Sequence, residues 1–234
     1  CSLRPNEPRL TLTCEFRVSR KGEVSRVDIY PSLIQSAARL TYEMAQAVVD
    51  GKPPRDMSKP IVGMIKDLSA ASRAIRKERQ ARGCLDFDLP EAQVVFDDKG
   101  VPEGMTPRER FGAHKLIEDL MIAANEAVAR YVIKHQCATL FRIHQEPSRE
   151  KLGPLRNWAK LAGVKIDWKR INEPLTMSRF ITELQKRDSQ GVIQMLVLMS
   201  LAQARYSPMN EGHFGLASKA YLHFTSPIRR YPDL

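Results

Sequence analysis

An α+β fold is predicted by three observations. Apolar residues alternate at period two near the start of the chain, recur at helical spacing over several long stretches after it, and show no internal repeat. Leu10, Leu12, Cys14, Phe16 and Val18 alternate with polar residues, residues 19–23 (Ser-Arg-Lys-Gly-Glu) supply a turn, and Val24, Val27 and Ile29 follow. These two runs predict a β-hairpin. Ser32 then stands where a helix N-cap would be, and residues 32–49 carry a stripe of Leu33, Ala37, Leu40, Met44, Ala47 and Val48 ended by Asp50-Gly51 and two prolines. Residues 59–80 predict a second helix through Ile61, Met64, Ile65, Leu68 and Ile75. Arg73, Arg76, Lys77, Arg79 and Arg82 crowd its C-terminal turns, where cations complement the helix dipole, so they read as a solvated end, with contact to phosphate as the lesser alternative.

Residues 84–96 read as strand, kink and strand, broken at Leu89-Pro90, with Asp98-Lys99-Gly100 as a turn. The longest periodic segment, 107–135, places Ile117, Leu120, Met121, Ala124, Val128, Tyr131 and Val132 on one helical face. Residues 139–143 read as a strand. Three further helices are expected at 148–161, 176–185 and 190–206, the last almost wholly apolar and therefore buried. With no linker or low-complexity tract, residues 1–234 read as one domain.

The chain has 234 residues with 37 Lys+Arg against 27 Asp+Glu, a formal charge of +10 that favours polyanionic partners. Four well-separated cysteines, Cys1, Cys14, Cys84 and Cys137, form no C-x-x-C pair, which argues against a zinc ribbon and for reduced thiols in a cytoplasmic protein. The longest apolar stretch, 192–204, is interrupted by Gln194, Ser200 and Gln203 and is too short for a membrane span. No P-loop, nucleophile elbow or H-E-x-x-H occurs. The first residue is Cys1 rather than methionine and the last are Asp233-Leu234, directly after a dense motif, so a piece of a longer polypeptide is expected.

That motif, residues 223–234 (His-Phe-Thr-Ser-Pro-Ile-Arg-Arg-Tyr-Pro-Asp-Leu), concentrates the chemistry. The Arg229-Arg230 pair offers guanidinium forks that match phosphate geometry, and rings beside them can stack on unpaired bases. A proline-rich turn with a cation on a tyrosine is the competing reading. His114, Glu118 and Asn125, at spacings of four and seven, share one stripe of the long helix; they suit contact to a ribose hydroxyl, or simply a polar flank on a half-buried helix. Arg142-Ile143-His144 lies at a strand end. Asp86, Asp88, Asp97 and Asp98 are the carboxylates nearest to a metal set, but their settings suit a sheet edge and a surface turn better.

Several blocks together resemble the ribonuclease II / ribonuclease R family of 3′-to-5′ exoribonucleases. They are 1–7 (Cys-Ser-Leu-Arg-Pro-Asn-Glu), 38–42 (Ala-Arg-Leu-Thr-Tyr), 113–118 (Ala-His-Lys-Leu-Ile-Glu) running on to Asn125, 141–144 (Phe-Arg-Ile-His), 213–217 (His-Phe-Gly-Leu-Ala), and 221–234. The wording of 141–144 and 223–234 is most similar to the ribonuclease R branch. The resemblance implies an incomplete RNB-type catalytic domain, a mixed β-sheet packed with several long helices, that hydrolyses single-stranded RNA processively to 5′-nucleoside monophosphates with two magnesium ions. It implies that Arg229 is the catalytic arginine on the scissile phosphate, that Glu118 lies near the RNA 3′ end and Tyr42 near the active site, and that Tyr42, His114, Ser226, Arg230 and Tyr231 contact RNA. Phe87 or Phe96 would be the aromatic that clamps terminal bases. The family's metal-binding aspartates precede the block that starts at Cys1, so no metal ligand is expected in this chain, and neither are the cold-shock and S1 domains. The expected protein is a cytoplasmic monomer with no membrane association. A non-catalytic RNA-binding protein with a degenerate form of this fold, and a basic helical interaction module, remain the other readings.

Overall fold

The computed structural model describes residues 3–87, 92–107, 111–148, 150–161, 163–186 and 192–233. Strand β1 (Pro8–Val18) and strand β2 (Val24–Gln35) pair antiparallel, with a bulge between Glu15 and Arg17. The turn between them is closed by the Ser19 hydroxyl, which accepts from the amides of Lys21 and Glu23 at 3.2 Å. Gly22 in that turn has φ +88°, and a Cβ there would lie 2.2 Å from the Ala74 carbonyl, so only glycine lets the hairpin tip seat on the next long helix.

The strand runs past Ser32, which corrects the helix expected at 32–49. Ser32 is paired with Thr11 in the ladder, and its hydroxyl bonds the hydroxyls of Thr11 and Thr13 at 2.8 and 2.6 Å. A good N-cap residue is thereby used laterally, and cross-strand pairing overrides the helical spacing. Helix α1 begins only at Tyr42 and runs to Val49, capped by the Thr41 side chain at 3.3 Å from the Met44 amide.

Helix α2 (Lys59–Arg82) is about 36 Å long and ends on Gly83 in the left-handed region. Its basic end is only partly a solvated cluster: Arg73 and Lys77 are exposed, but the other three arginines are not. Arg79 is buried, while Arg76 and Arg82 are half-buried. Strands β3 (Ala92–Phe96) and β4 (Pro102–Pro107) form an antiparallel ribbon; β3 is the second strand of the pair expected at 84–96, whereas residues 84–87, expected as the first, are irregular and β4 was not expected. Helix α3 (Gly112–Lys134) is the central element, packed on α1, α2 and the first hairpin, with Ala127 and Ala129 wholly buried.

Strand β5 (Phe141–Ile143) pairs antiparallel with β6 (Arg205–Ser207). Helices α4 (Gly153–Leu161), α5 (Pro174–Gln185) and α6 (Val192–Ser200) enclose a core of Leu155, Met177, Phe180, Leu184 and Val197. The apolar helix expected at 190–206 is shorter and less buried. Val197 and Ser200 face inward, but Met195, Leu198 and Met199 are exposed, and residues 205–207 are strand. A uniformly apolar run carries no phase that could say which side is buried.

The fold class is α+β, as expected. Among the described residues, however, the named strands make three separate two-stranded antiparallel sheets rather than one mixed sheet. Short turns suffice for the first two pairs, whereas parallel neighbours would need long crossovers. A second core of Val128, Ala129, Ala220 and Leu222, with Cys14, Ile29 and Phe224 against it, joins α3 to the hairpin and to the C-terminal segment. No helix among the described residues is long and apolar enough to cross a membrane.

Candidate functional site

The N-terminus of α3 gathers the first site residues. Tyr42, the first residue of α1, stacks on the His114 ring at 3.7 Å between centroids, and Phe111 stacks on the same imidazole at 5.6 Å. The His114 Nδ1 accepts from the Phe111 amide at 3.2 Å, so that nitrogen carries no proton in this arrangement. Gln46 of α1 reaches across to accept from the Ala113 amide at 3.0 Å, satisfying an amide that the helix start leaves open. Tyr42 and His114 are thus brought together, as a ring platform with an exposed edge. Glu118 stands one turn further along, exposed at the mouth of a cleft between α2 and α3 that Lys115, Arg76 and Asp86 also line.

Beneath that cleft lies a charged network. The Asp119 carboxylate accepts from Arg76 at 2.7 and 2.9 Å, from Arg79 at 2.8 Å, and from the Ser72 hydroxyl at 2.7 Å. Arg79 also donates to the Cys84 sulfur at 3.1 Å. Burial pushes the Cys84 thiol up, and the neighbouring guanidinium offsets this only in part. The network ties α2 to α3 and fixes the floor of the cleft.

Two turns beyond Glu118, Asn125 is buried on the same stripe. It is a satisfied polar residue, as one of the two readings had it, but buried rather than on a flank. Its Oδ1 accepts from the amides of Phe224 and Thr225 at 2.9 and 3.0 Å and from the Thr225 hydroxyl at 3.3 Å, while its Nδ2 donates to the Tyr221 hydroxyl at 2.9 Å. The C-terminal motif is therefore hung from α3. Ser226 follows in the left-handed region at φ +57°, then Pro227–Arg229 makes a single 3-10 turn. Arg230 folds back and donates to the carbonyls of Thr225 and Ser226, with Asp233 at 3.7 Å. Arg229 and Tyr231 project outward, Tyr231 being 90% exposed.

A row of rings underpins this motif. Arg142 lies over the Tyr206 ring at 4.8 Å, the Tyr206 hydroxyl and His223 Nδ1 are 2.7 Å apart, and Tyr221 stands edge-on to both His223 and His213. His144 accepts from the Gly215 amide through Nδ1 at 2.8 Å and so carries its proton on Nε2, 2.7 Å from the Ala202 carbonyl. Burial and nearby cations keep all three imidazoles neutral. His213 is pushed down to about 3, and His223 to about 4, chiefly by burial and then, for His223, by Arg230 and Arg142. His144 is lowered for the same leading reason. The strand-end position of 142–144 therefore serves the internal support of the motif. Tyr206 was invisible in the sequence reading, because it fell within a stretch read as helix.

Among the described residues, no group of three or more His, Cys, Asp or Glu is placed to hold a metal ion. Asp97 closes its own turn, accepting from the amides of Lys99 and Val101 at 2.9 and 2.8 Å, and Asp88 lies outside the described residues. The described side chains do not by themselves fit a magnesium centre. Of the two candidate clamping aromatics, Phe87 packs against the larger core and Phe96 is 58% exposed on β3.

Comparison with known proteins covers the whole chain. Ribonuclease R of Aquifex aeolicus (strain VF5) is 40% identical over 235 residues, covering 100% of this chain and 33% of that protein. Ribonuclease R of Escherichia coli (strain K12) is 37% identical, covering 100% and 29%. The chain thus spans about a third of the length of the curated relatives it matches. Mycoplasma genitalium RNase R, solved in complex with ribose-methylated single-stranded RNA, superposes with a TM-score of 0.92 at 28% identity over 100% of this chain and 36% of its own. Residues 1–234 match the RNB domain, and the chain belongs to that family.

Proposed function

We propose that this chain is the greater part of the catalytic domain of a 3′-to-5′ exoribonuclease that degrades single-stranded RNA processively to 5′-nucleoside monophosphates. The observation that carries the reading is the arrangement along α3. The stacked Tyr42 and His114 rings, the Glu118 carboxylate and the tether of the arginine turn occupy one stripe within about 17 Å of helix. Rings can stack on terminal bases, the carboxylate can accept from ribose hydroxyls, and Arg229 can grip the scissile phosphate where charge grows in the transition state. Ser226 and Tyr231 flank that phosphate position on the exposed face of the turn. Magnesium is the proposed cofactor, with ligands from outside the described residues. Free thiols at Cys14, Cys84 and Cys137 accord with a cytoplasmic enzyme, which we take to act as a monomer.

The test uses the full-length protein and end-labelled single-stranded RNA with and without magnesium. Stepwise loss from the 3′ end is expected; internal cuts overturn the reaction class, and intact RNA that stays bound identifies a non-catalytic binder. Arg229→Ala should lower turnover by about 10²–10³-fold while RNA affinity at physiological salt falls only about fourfold, as expected for one lost phosphate contact. Arg229→Lys should fail as well, because a point charge cannot reproduce the fork. Wild-type turnover in either variant removes Arg229 from the mechanism.

A further inference from the structure

We propose that Asn125 is a positioning residue for catalysis: it anchors the turn from which Arg229 reaches the scissile phosphate, a role that rests on the reading of Arg229 above. The two arginines of the motif are differently disposed. Arg230 is committed to the turn itself, its guanidinium held by the carbonyls of Thr225 and Ser226 and close to Asp233. Arg229 is exposed and makes no hydrogen bond or ion pair among the described residues, so its direction is set only by the backbone that carries it.

That backbone is unfavourable in isolation. Ser226 has φ +57° and ψ +50°, a left-handed conformation that costs a residue with a Cβ about 1–2 kcal/mol. Such a turn persists only when its surroundings overdetermine it. Pro227 presets φ on one side, Arg230 closes the loop from behind, and Asn125 supplies the attachment to the body of the protein. The amide's orientation follows from its partners. Two backbone N–H groups can only donate, so the atom facing them is Oδ1, which leaves Nδ2 for the Tyr221 hydroxyl. With four contacts and 2% exposure, Asn125 has one available pose, and the amides of residues 224 and 225 take theirs from it. Aspartate could accept from those amides but would bury a charge; alanine would leave both amides unpaired.

The test measures kcat and KM of the full-length enzyme on a short end-labelled oligoribonucleotide, normalised to folded protein. Asn125→Ala should lower kcat about 100-fold with KM within about threefold, since a displacement near 1 Å suffices for a loss of that size. The double variant Asn125→Ala/Arg229→Ala should be no slower than Arg229→Ala alone, because Asn125 acts through Arg229. If Asn125→Ala does not fold, Tyr221→Phe loosens the same amide by removing one acceptor, and should cost about fivefold in kcat only when Arg229 is present. Multiplying losses, or wild-type kcat in the Asn125 or Tyr221 variants, would overturn the tether while leaving Arg229's role intact. Wild-type turnover in Arg229→Ala would overturn both.

Discussion

Three imidazoles, His144 and His213 beneath the C-terminal motif and His223 at its start, make acid the weakness of this region. All three have folded-state values below the ordinary 6.5, His213 at about 3 and His223 at about 4. Each is neutral when folded and protonated in the unfolded chain below pH 6.5, so the unfolded state binds more protons and stability falls as pH drops from 6.5 towards the folded values. For His213 this gives a slope of about 1.4 kcal/mol per pH unit between pH 6 and 4. His223 contributes less, being nearer solvent and facing Arg142, Arg229 and Arg230 on one side and Asp233 on the other. Urea midpoints across this range should show wild-type protein losing stability, and His213→Gln should flatten the slope by about one proton; an unchanged slope would refute a depressed His213. At this scale the sequence placed residues on a face but not against their partners. The spacing of His114, Glu118 and Asn125 put them on one stripe, but the partners of Asn125 lie 96 to 100 residues away, beyond any helical period.

Between elements, the seam of α2 and α3 shows how a local rule can mislead. Arginines in the last turns of a helix suit the dipole whether or not they are solvated, and the sequence offered no sign of the carboxylate some 40 residues later that pairs with them. The same local ambiguity produced the helix expected at 32–49. Ser32 is an excellent cap by type, but its threonine partners lie across the hairpin, where only register reveals them. The elements that were legible are the self-contained ones: α2, expected at 59–80 and found at Lys59–Arg82, and α3, whose apolar period was read although the helix starts at Gly112 rather than 107. The seam also carries a ranked prediction. Asp119→Ala strands the guanidinium of Arg79, whose side chain is 7% exposed, and should destabilise the domain by about 3–5 kcal/mol. Arg76→Ala removes a partner that is 28% exposed and should cost distinctly less. The shift of this domain's transition in urea unfolding of the full-length protein gives the ranking; equal losses would mean that the pair with Arg79 is not the buried centre of the seam.

For the whole molecule, the fold class and the ordered blocks were legible because they are patterns in one dimension, whereas the exposed side of α6 and the pairing of strands into separate ribbons depend on what meets what in space. Charge belongs to both descriptions. The sequence gives its sum, +10, but only the structure separates cations already neutralised from those free to meet a polyanion. Arg170 donates to both oxygens of Glu173 at 2.8 Å, and Arg79 is spent on Asp119, whereas Arg229 is exposed on its turn. If RNA affinity comes from specific phosphate contacts rather than from diffuse positive charge, the two kinds of arginine must differ in their salt dependence. For single strands, log K should fall linearly with log salt by about 0.7 per phosphate neutralised. Titrations of full-length protein with single-stranded RNA from low to physiological salt should therefore show Arg229→Ala losing about 0.7 of that slope, and Arg170→Ala leaving it unchanged. Equal changes from both substitutions would mean that the net charge attracts RNA without Arg229 engaging a phosphate, and the turn would then have to be read as a scaffold rather than a grip.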